Sequence, residues 1–582
     1  MEKRWVLKEK GDFETVTKLQ NELTIDIHLA NLLVQRGIRT FEEAKSFFRP
    51  QLTDLHDPFL MKDMDLAIDR IEKAIHNKEK ILVYGDYDVD GTSAVALVYS
   101  FIKEYYNEVD FYIPDRYSEG YGISYKGIDF AKENGFTLII ALDCGIKAVQ
   151  QIDYANERQI DFIIGDHHRP GENIPKAIAV LDPKRLDSEY PYDELSGCGI
   201  GFKLIQAYSQ KNNIDFSKIE KYLDLVAISI ASDIVPITGE NRILAYYGLK
   251  LINSKPRPGI EAVLKFSNVC KNEESIDDGN FFFKRELSIN DLVFLISPRI
   301  NAAGRMETGR SSVELLNCDS IEKALKVGEL VNNNNIDRKS LDSFTTQQAI
   351  EFIKSDEFLQ SSKSTVIFNP EWHKGVIGIV ASRLTEEYYR PTIVLTQSNG
   401  LITGSARSVK DFDIYDAIEA CSDLLEHFGG HKYAAGLSLK PENFEKFRMK
   451  FEAEVAKSLT ENMLTPEIEI DDNIQLKDIN SKFYNILKQF APFGPGNMSP
   501  IFLTDNVKDA GYSKVVGNNH IKLSVISPDV SSYPFSGIAF QQAQSFTYIQ
   551  KGFPFSICYH IEENEWNGKT SLQLNVKDIK FE

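Results

Sequence analysis

From residue 80 the chain alternates two hydrophobic patterns. Short apolar and β-branched runs, ILVYG at 81–85, VDFYI at 109–113, TLIIAL at 137–142, DFIIG at 161–165 and AIAVL at 177–181, are separated by amphipathic stretches such as TSAVALVYSFIKEYY at 92–106. Near-continuous apolar strands alternating with helices predict a parallel sheet covered on both faces, and this α/β lobe is expected over residues 79–320. Before it, residues 1–78 are mostly helical in pattern, with apolar residues at three- and four-residue steps in LANLLVQRGI and FEEAKSFF. After it, residues 321–360 are polar and helix-periodic and predict a long connecting helix, whose Asn332–Asn335 run is the one low-complexity spot. Strands STVIF and PTIVLT, helix KGVIGIVASRLTEEYY and glycine-rich turns at LITGSARS and HFGGHKYAAG predict a second α/β lobe over 361–458. Past the turn-rich APFGPGNMSP come short alternating strands (IFLTDNV, IKLSVIS, FSGIAF, FSICYHI, SLQLNV), so residues 462–582 predict a small β-barrel such as an OB-fold.

At about 150 residues per domain, 582 residues suit several domains with real cores. With 42% hydrophobic and 26% charged residues, disordered and collagen-like readings fail. The net charge of −19 argues against a protein that coats nucleic acid by bulk attraction, so a polyanion would need a locally basic groove. Six cysteines, far apart and without a C-x-x-C pair, make structural zinc and a disulfide framework poor readings. The N-terminus has no signal-peptide core and no apolar run approaches the roughly 18 residues of a membrane span, which places the protein in the cytoplasm, away from membranes.

The strongest chemical signal is VYGDYDVDGT, where a strand ends and Asp86, Asp88 and Asp90 stand at alternate positions. Side chains at the carboxyl ends of strands in an open α/β sheet face the ligand crevice. Other segments end the same way: TLIIAL runs into Asp143, DFIIG into Asp166, His167 and His168, and the apolar LVAISIAS into Asp233. Any one such aspartate is a turn former or helix cap more often than a ligand. Four convergent ends favour a metal site, and oxygen ligands with one or two imidazoles suit Mn²⁺ or Mg²⁺ better than zinc. SGCGIGF misses the G-x-G-x-x-G spacing of a dinucleotide loop, and NGKTS lacks the upstream glycine of a P-loop.

GDYDVDGT, LDCG, GDHH and ASDIVP, in that order, resemble the four motifs of the DHH phosphoesterase superfamily, and WHKGVIGIVASRL, GSARS and FGGHKYAAG resemble its associated second domain. PDRYSEGYGIS, RINAAGRM and the terminal barrel with its FGPGNMSPIF lead-in narrow the likeness to the bacterial single-strand-specific 5′ exonucleases of that superfamily. The resemblance implies an α/β fold with a parallel-sheet DHH lobe, a long helix, a second α/β lobe and a C-terminal OB-fold. It implies two Mn²⁺ or Mg²⁺ ions. Asp143 bridges them, Asp88, His167 and Asp233 complete one, and Asp86 belongs to the other; His168 contacts the scissile phosphate or its leaving oxygen, and Asp90 supports the ligands. Some relatives carry a histidine where this chain has Tyr84, which leaves one ligand of the Asp86 ion unassigned.

Such a centre suits phosphodiester hydrolysis, because two cations activate water and neutralise charge on the attacked phosphate. Anion recognition is expected from Ser405, Arg407 and His373, with Gly430 and His431 in the second glycine-rich segment, and from Arg299 and Arg305, with Arg116 holding the strand nearer the metals. For a lone arginine the plain alternative is a surface salt bridge. Tyr121 either stacks on a base or packs. The expected function is 5′→3′ exonuclease action on single-stranded DNA in repair and recombination, by a monomer working with single-strand-binding protein and a helicase. Two alternatives are a phosphodiesterase of short oligonucleotides or cyclic dinucleotides, and a non-catalytic single-strand-binding relative.

Overall fold

In strand Lys80–Gly85 both faces are apolar, and each builds a separate core. Ile81 and Val83 pack with helices Met64–His76, Val89–Tyr105, Gly197–Lys211 and Leu223–Ser232, whereas Leu82 and Tyr84 pack with helices Tyr125–Glu133 and Val149–Glu157. The sheet so covered is parallel and five-stranded, in the order Val109–Tyr112, Lys80–Gly85, Phe136–Leu142, Asp161–Gly165, Ala179–Leu181. Chain order reverses beside Lys80–Gly85, whose neighbours are the next two strands, one on each side. A crevice opens at the carboxyl ends at such a point.

The computed structural model describes residues 2–581 apart from 273–280, 307–308, 528–533 and 567–568. The chain forms two units: Lys8–Asn334 with Ile470–Glu582, and Met1–Leu7 with Asn335–Glu469. The division falls inside the 35-residue helix Ile321–Ser355, the predicted connecting helix. Among the described residues no helix is long and apolar enough to cross a membrane.

In the larger unit the sheet ends at Leu181, and the described residues from Gly197 to Leu316 are mainly helices, with a π-helical turn at Leu292–Ile296 leading into Ser297–Met306. The terminal segment is a seven-stranded sheet. Strand Phe502–Asp509 pairs with both Phe555–Trp566 and His520–Ile526, which closes it into a barrel. The barrel core, including Phe502, Leu523 and Tyr559, is continuous with Leu19, Leu29, Leu32 and Leu33 of the N-terminal helices Phe13–Leu23 and Ile27–Gln35. Those helices therefore complete the barrel's core. The first residues depart from the helical expectation: Arg4–Leu7 is a strand paired with Glu467–Ile470 in the smaller unit.

The smaller unit holds a mixed five-stranded sheet in the order His427–His431, Ala434–Leu439, Leu401–Arg407, Thr392–Ser398, Thr365–Phe368. Both segments read as glycine-rich turns are mostly strand. Gly404 is there because strand and neighbour meet closely: a Cβ would stand 2.4 Å from Leu395 Cδ2.

Candidate metal centre

The crevice end of the parallel sheet collects the carboxylates. Asp86 and Asp88 follow strand Lys80–Gly85, and the turn between them and helix Val89–Tyr105 is so tight that a Cβ on Gly91 would lie 2.5 Å from Asp86 O. Asp88 also caps that helix, accepting from Gly91 N–H at 3.0 Å, so the ordinary capping role and the candidate ligand role fall on one side chain. Asp143 follows Phe136–Leu142 with a left-handed φ of 58°, and Gly197 packs against it where a Cβ would be 2.6 Å from Asp143 Cβ. Strained backbone of this kind persists only where surroundings over-determine it. His167 and His168 follow Asp161–Gly165, and Asp233 ends helix Leu223–Ser232.

These elements converge on His167. Its Nε2 lies 3.2 Å from Asp143 Oδ1, 3.5 Å from Asp233 Oδ2 and 3.7 Å from Asp90 Oδ2. His168 Nδ1 lies 4.0 Å from Asp143 Oδ1. Two ligand sets result, Asp143 with His167 and His168, and Asp90 with His167 and Asp233. Asp86 and Asp88 stand outside these two sets.

The electrostatics ask for a cation. Burial, with Asp90 and Asp88 nearby, holds the Asp143 carboxyl well above the usual range, and the same three causes push Asp233 up to about 8. Burial and Asp88 raise Asp86, and burial and Asp90 raise Asp88. Burial pulls His167 down, toward the neutral ligand form. Asp86 Oδ2, Asp143 Oδ1 and both His167 ring nitrogens are buried without a hydrogen-bond partner. Unpaired buried acceptors on several carboxylates and an imidazole are the donor set of a hard or borderline divalent cation, and the residues present fit Mn²⁺ or Mg²⁺.

Two neighbouring carboxylates organise the site. Asp166 accepts from Ile146, His167 and His168 N–H at 2.9, 2.8 and 3.1 Å and from His168 Nδ1 at 2.8 Å, fixing the ring. Burial opposes the His168 charge, but the Asp166 bond and surrounding carboxylates outweigh it and raise His168 to about 9. The signal for Asp166 was in the GDHH segment itself, as its first acid. Asp90, a member of the second ligand set, is also gripped from elsewhere in the chain: its oxygens accept Gly197 N–H, Cys198 N–H and Ser229 Oγ–H, each at 2.7 Å. SGCGIGF therefore serves as a helix N-terminus gripping Asp90. Tyr84 is a structural residue here; its hydroxyl donates to Gly122 O at 2.9 Å and accepts from Ser124 N–H at 3.2 Å, fastening the 114–124 loop. From that loop Tyr121 OH reaches His168 Nε2 at 3.2 Å, so Tyr121 is engaged with the histidine.

The expected arginines separate. Arg116 lies over the Tyr87 ring at 4.9 Å, and its charge acts on Asp86. Arg305 follows Gly304, where a Cβ would stand 2.7 Å from Tyr87 O, so RINAAGRM is pressed against the first carboxylate segment. Arg299 is engaged within the helical layer, donating to Leu295 O at 2.8 Å, Phe266 O at 3.2 Å and Asn332 Oδ1 at 3.1 Å. Those bonds tie helices together.

In the smaller unit Arg407 Nη1 donates to Ser405 Oγ at 2.9 Å and Ala406 O at 2.7 Å. Both side chains face Gly378 of helix Ile377–Tyr388: a Cβ there would lie 3.0 Å from Ser405 Oγ and 3.2 Å from Arg407 Nη2. His373 Nδ1 accepts Gly375 N–H at 3.1 Å, and burial lowers its pKa. Gly430 and His431 lie two strands from Leu401–Arg407, with His431 opposite Ala434 and Ala434 opposite Arg407. Ser405, Arg407 and the start of the helix thus form one cluster, with Gly430 and His431 about 10 Å away at two strand spacings.

A switch-point sheet whose strand ends carry this carboxylate–histidine cluster defines a DHH-type phosphoesterase. The DHH family N-terminal domain matches residues 80–230, the DHHA1 domain 361–457 and the RecJ OB domain 470–578. The single-stranded-DNA-specific exonuclease RecJ of Bacillus subtilis is 34% identical over 99% of this chain and 70% of its own length, and that of Escherichia coli 30% identical over 95% of each. The chain belongs to the RecJ family. The fold agrees with a crystal structure of RecJ in complex with Mn²⁺ from Thermus thermophilus, at a TM-score of 0.83 and 24% identity over 100% of this chain and 80% of that one. A structure of exonuclease RecJ bound to manganese matches at a TM-score of 0.58 and 28% identity, over 70% of this chain and 97% of its own.

Proposed function

We propose that the protein is a metal-dependent exonuclease that hydrolyses phosphodiester bonds of single-stranded DNA from the 5′ end, with Asp86, Asp88, Asp143, His167 and Asp233 as the metal ligands. The observation that carries this is the convergence of Asp143 and Asp233 on His167 Nε2, at 3.2 and 3.5 Å, in a chain of the RecJ family; Asp86 and Asp88 join the set on the resemblance of their motif. Bound there, a divalent cation supplies Lewis-acid polarisation of the phosphate and makes an attacking water more acidic.

The chain's own groups do the rest. Asp166 orients His168 and, with burial opposing, keeps its imidazole charged to about pH 9, so that His168 Nε2 donates to the scissile phosphate or its departing oxygen. Asp90 holds the base of the cluster against helix Gly197–Lys211. Arg116 and Arg305 face the strand near the metals. Ser405 and Arg407, beside the helix start at Gly378, bind the 5′-terminal phosphate, with His373, Gly430 and His431 at the margins of that cluster. The barrel holds the strand rather than cutting it. We place the protein in the cytoplasm as a monomer in DNA repair and recombination, supplied with single strands by a helicase and working on strands covered by single-strand-binding protein.

The test is polarity. Single strands labelled at one end or the other are incubated with the protein and Mn²⁺; the 5′ label leaves first as a mononucleotide, and prior loss of the 3′ label removes the proposal. A cyclic or two-nucleotide substrate hydrolysed far faster than long strands would favour the small-substrate reading.

A further inference from the structure

The lead-in to the barrel folds back on itself. Gly494 and Asn497 exchange backbone hydrogen bonds at 3.0 and 2.8 Å, and the Asn497 amide donates to Phe490 O and Pro492 O at 2.8 and 2.9 Å. This closed turn lies against residues 236–242, just beyond Asp233. Ile237 N–H donates to Pro495 O at 2.7 Å. A Cβ on Gly494 would stand 2.6 Å from Ile237 Cγ1, and one on Gly496 2.9 Å from Thr238 Cγ2, so the approach depends on both glycines. Arg242 locks the far end, donating to Phe490 O at 2.9 Å and Ala491 O at 3.0 Å.

Ile237 is fully buried under this turn. Helix Leu223–Ser232 fixes the other end of the segment; between the two anchors Val235 packs into the core, whereas Asp233 and Ile234 are not buried. Ile234 has a φ of 60° while its side chain is 66% exposed. A β-branched residue in the left-handed region is a true outlier, and with no packing of its own to hold it there, the anchors at its two ends impose it.

We propose that residues 490–497 are a positioning element for the metal centre: by clamping Ile237 they hold the 233–235 span so that the Asp233 carboxylate stands beside His167. The barrel's lead-in is then a working part of the active site rather than a tether. The inference rests on Asp233 being a metal ligand, and the experiment separates the two.

Mn²⁺ binding to the full chain is titrated by the electron paramagnetic resonance of free Mn²⁺, with circular dichroism as the check on folding. Gly494→Ala should weaken binding about tenfold, the scale of losing an outer-shell support. Gly494→Ala with Ile237→Ala should recover most of that loss, because the Cγ1 atom in the way is gone. Asp233→Asn should itself bind weakly, and adding Gly494→Ala to it should cost little more. Normal binding by Gly494→Ala beside a weakened Asp233→Asn overturns the proposal alone, as does an undiminished Gly494→Ala loss in the Asp233→Asn background. Normal binding by Asp233→Asn overturns the ligand reading and the proposal with it. Should Gly494→Ala fail to fold, Asn497→Ala, which slackens the turn without adding atoms, carries the same expectations and the same comparison.

Discussion

Asp90→Asn separates a support from a ligand. The Asp90 carboxylate is 2% exposed and accepts three hydrogen bonds of 2.7 Å: one on Oδ2 from Gly197 N–H, two on Oδ1 from Cys198 N–H and Ser229 Oγ–H. An amide of the same shape turns one of those oxygens into an NH₂ group facing an N–H donor. At least one bond is lost with its donor left buried, at about 1–3 kcal/mol, and the surviving bonds lose their charge assistance, at roughly 1 kcal/mol each. Removing a negative charge from the start of helix Gly197–Lys211 costs about 0.5–1 kcal/mol more. Relief of repulsion with Asp143, Asp233 and Asp88 works the other way, so the expected net loss is about 3 kcal/mol. The assay is urea unfolding of the larger unit at pH 7 in a chelator, where no metal contributes. Asp143→Asn should move oppositely: its Oδ1 has no donor to lose, so metal-free stability holds or rises while stabilisation by Mn²⁺ disappears. An Asp90→Asn protein within about 0.5 kcal/mol of wild type, a typical surface-substitution effect, would mean that these three bonds do not support the fold.

Arg407→Ala should reduce discrimination between 5′-phosphate and 5′-hydroxyl strands by about 1.5–3 kcal/mol, the worth of a charge-assisted hydrogen bond; equal loss on both substrates in kcat/KM would assign Arg407 to the fold. His28 Nδ1 pairs with Asp472 Oδ2 at 2.8 Å, joining an N-terminal helix to the barrel. The Asp472 bond raises the His28 pKa over the opposing effect of burial; Asp472, which burial alone would raise, is lowered by that same bond. A raised histidine contributes stability that is fully present below about 6.5 and lost as pH rises through its folded value, while the lowered carboxyl needs pH above about 3.8. His28→Gln should therefore lower the unfolding free energy at pH 6 by about 1–2 kcal/mol and have little effect at pH 9; equal effects at both would count against the ion pair. On the barrel, Phe540, in the turn after strand Phe535–Ala539, is 53% exposed against His520, whose strand carries Lys522 and pairs with the strand of Lys514. Phe540→Ala should weaken binding of long single strands by about 1–3 kcal/mol in a gel-shift titration and leave hydrolysis of short oligonucleotides unchanged.

Much of the site was legible because each candidate ligand sits at the end of an apolar segment: Asp143 and His167 needed only the parallel topology to meet, whereas Asp86, at the end of the adjoining strand, stands outside the two ligand sets. Asp233 was legible from its apolar run, although that run is a helix. The roles of Asp90 and Asp166 are set by donors from elsewhere in the chain, Gly197, Cys198 and Ser229 for one and Ile146 for the other, which spacing does not reveal. Arg299 was named because a guanidinium can donate to phosphate oxygens; the structure shows three of its N–H groups donating to acceptors inside the fold, which residue type alone does not reveal. Glycines in LITGSARS and HFGGHKYAAG resembled turn signals, whereas they occupy strands, and Gly404 admits Leu395. The N-terminal helices gave no sign of their partner, since an apolar face says only that something covers it; it is the barrel core.

Whether DNA is cut at the carboxylate–histidine cluster of the larger unit is decided by single-turnover cleavage of 5′-labelled single strands with wild-type and Asp143→Ala protein, each in Mn²⁺ and in chelator, with strand binding followed in parallel. Wild type should release labelled mononucleotide only with metal, and Asp143→Ala should bind the strand with similar affinity while cleaving slower by several orders of magnitude. Normal cleavage by Asp143→Ala in Mn²⁺ would contradict the account.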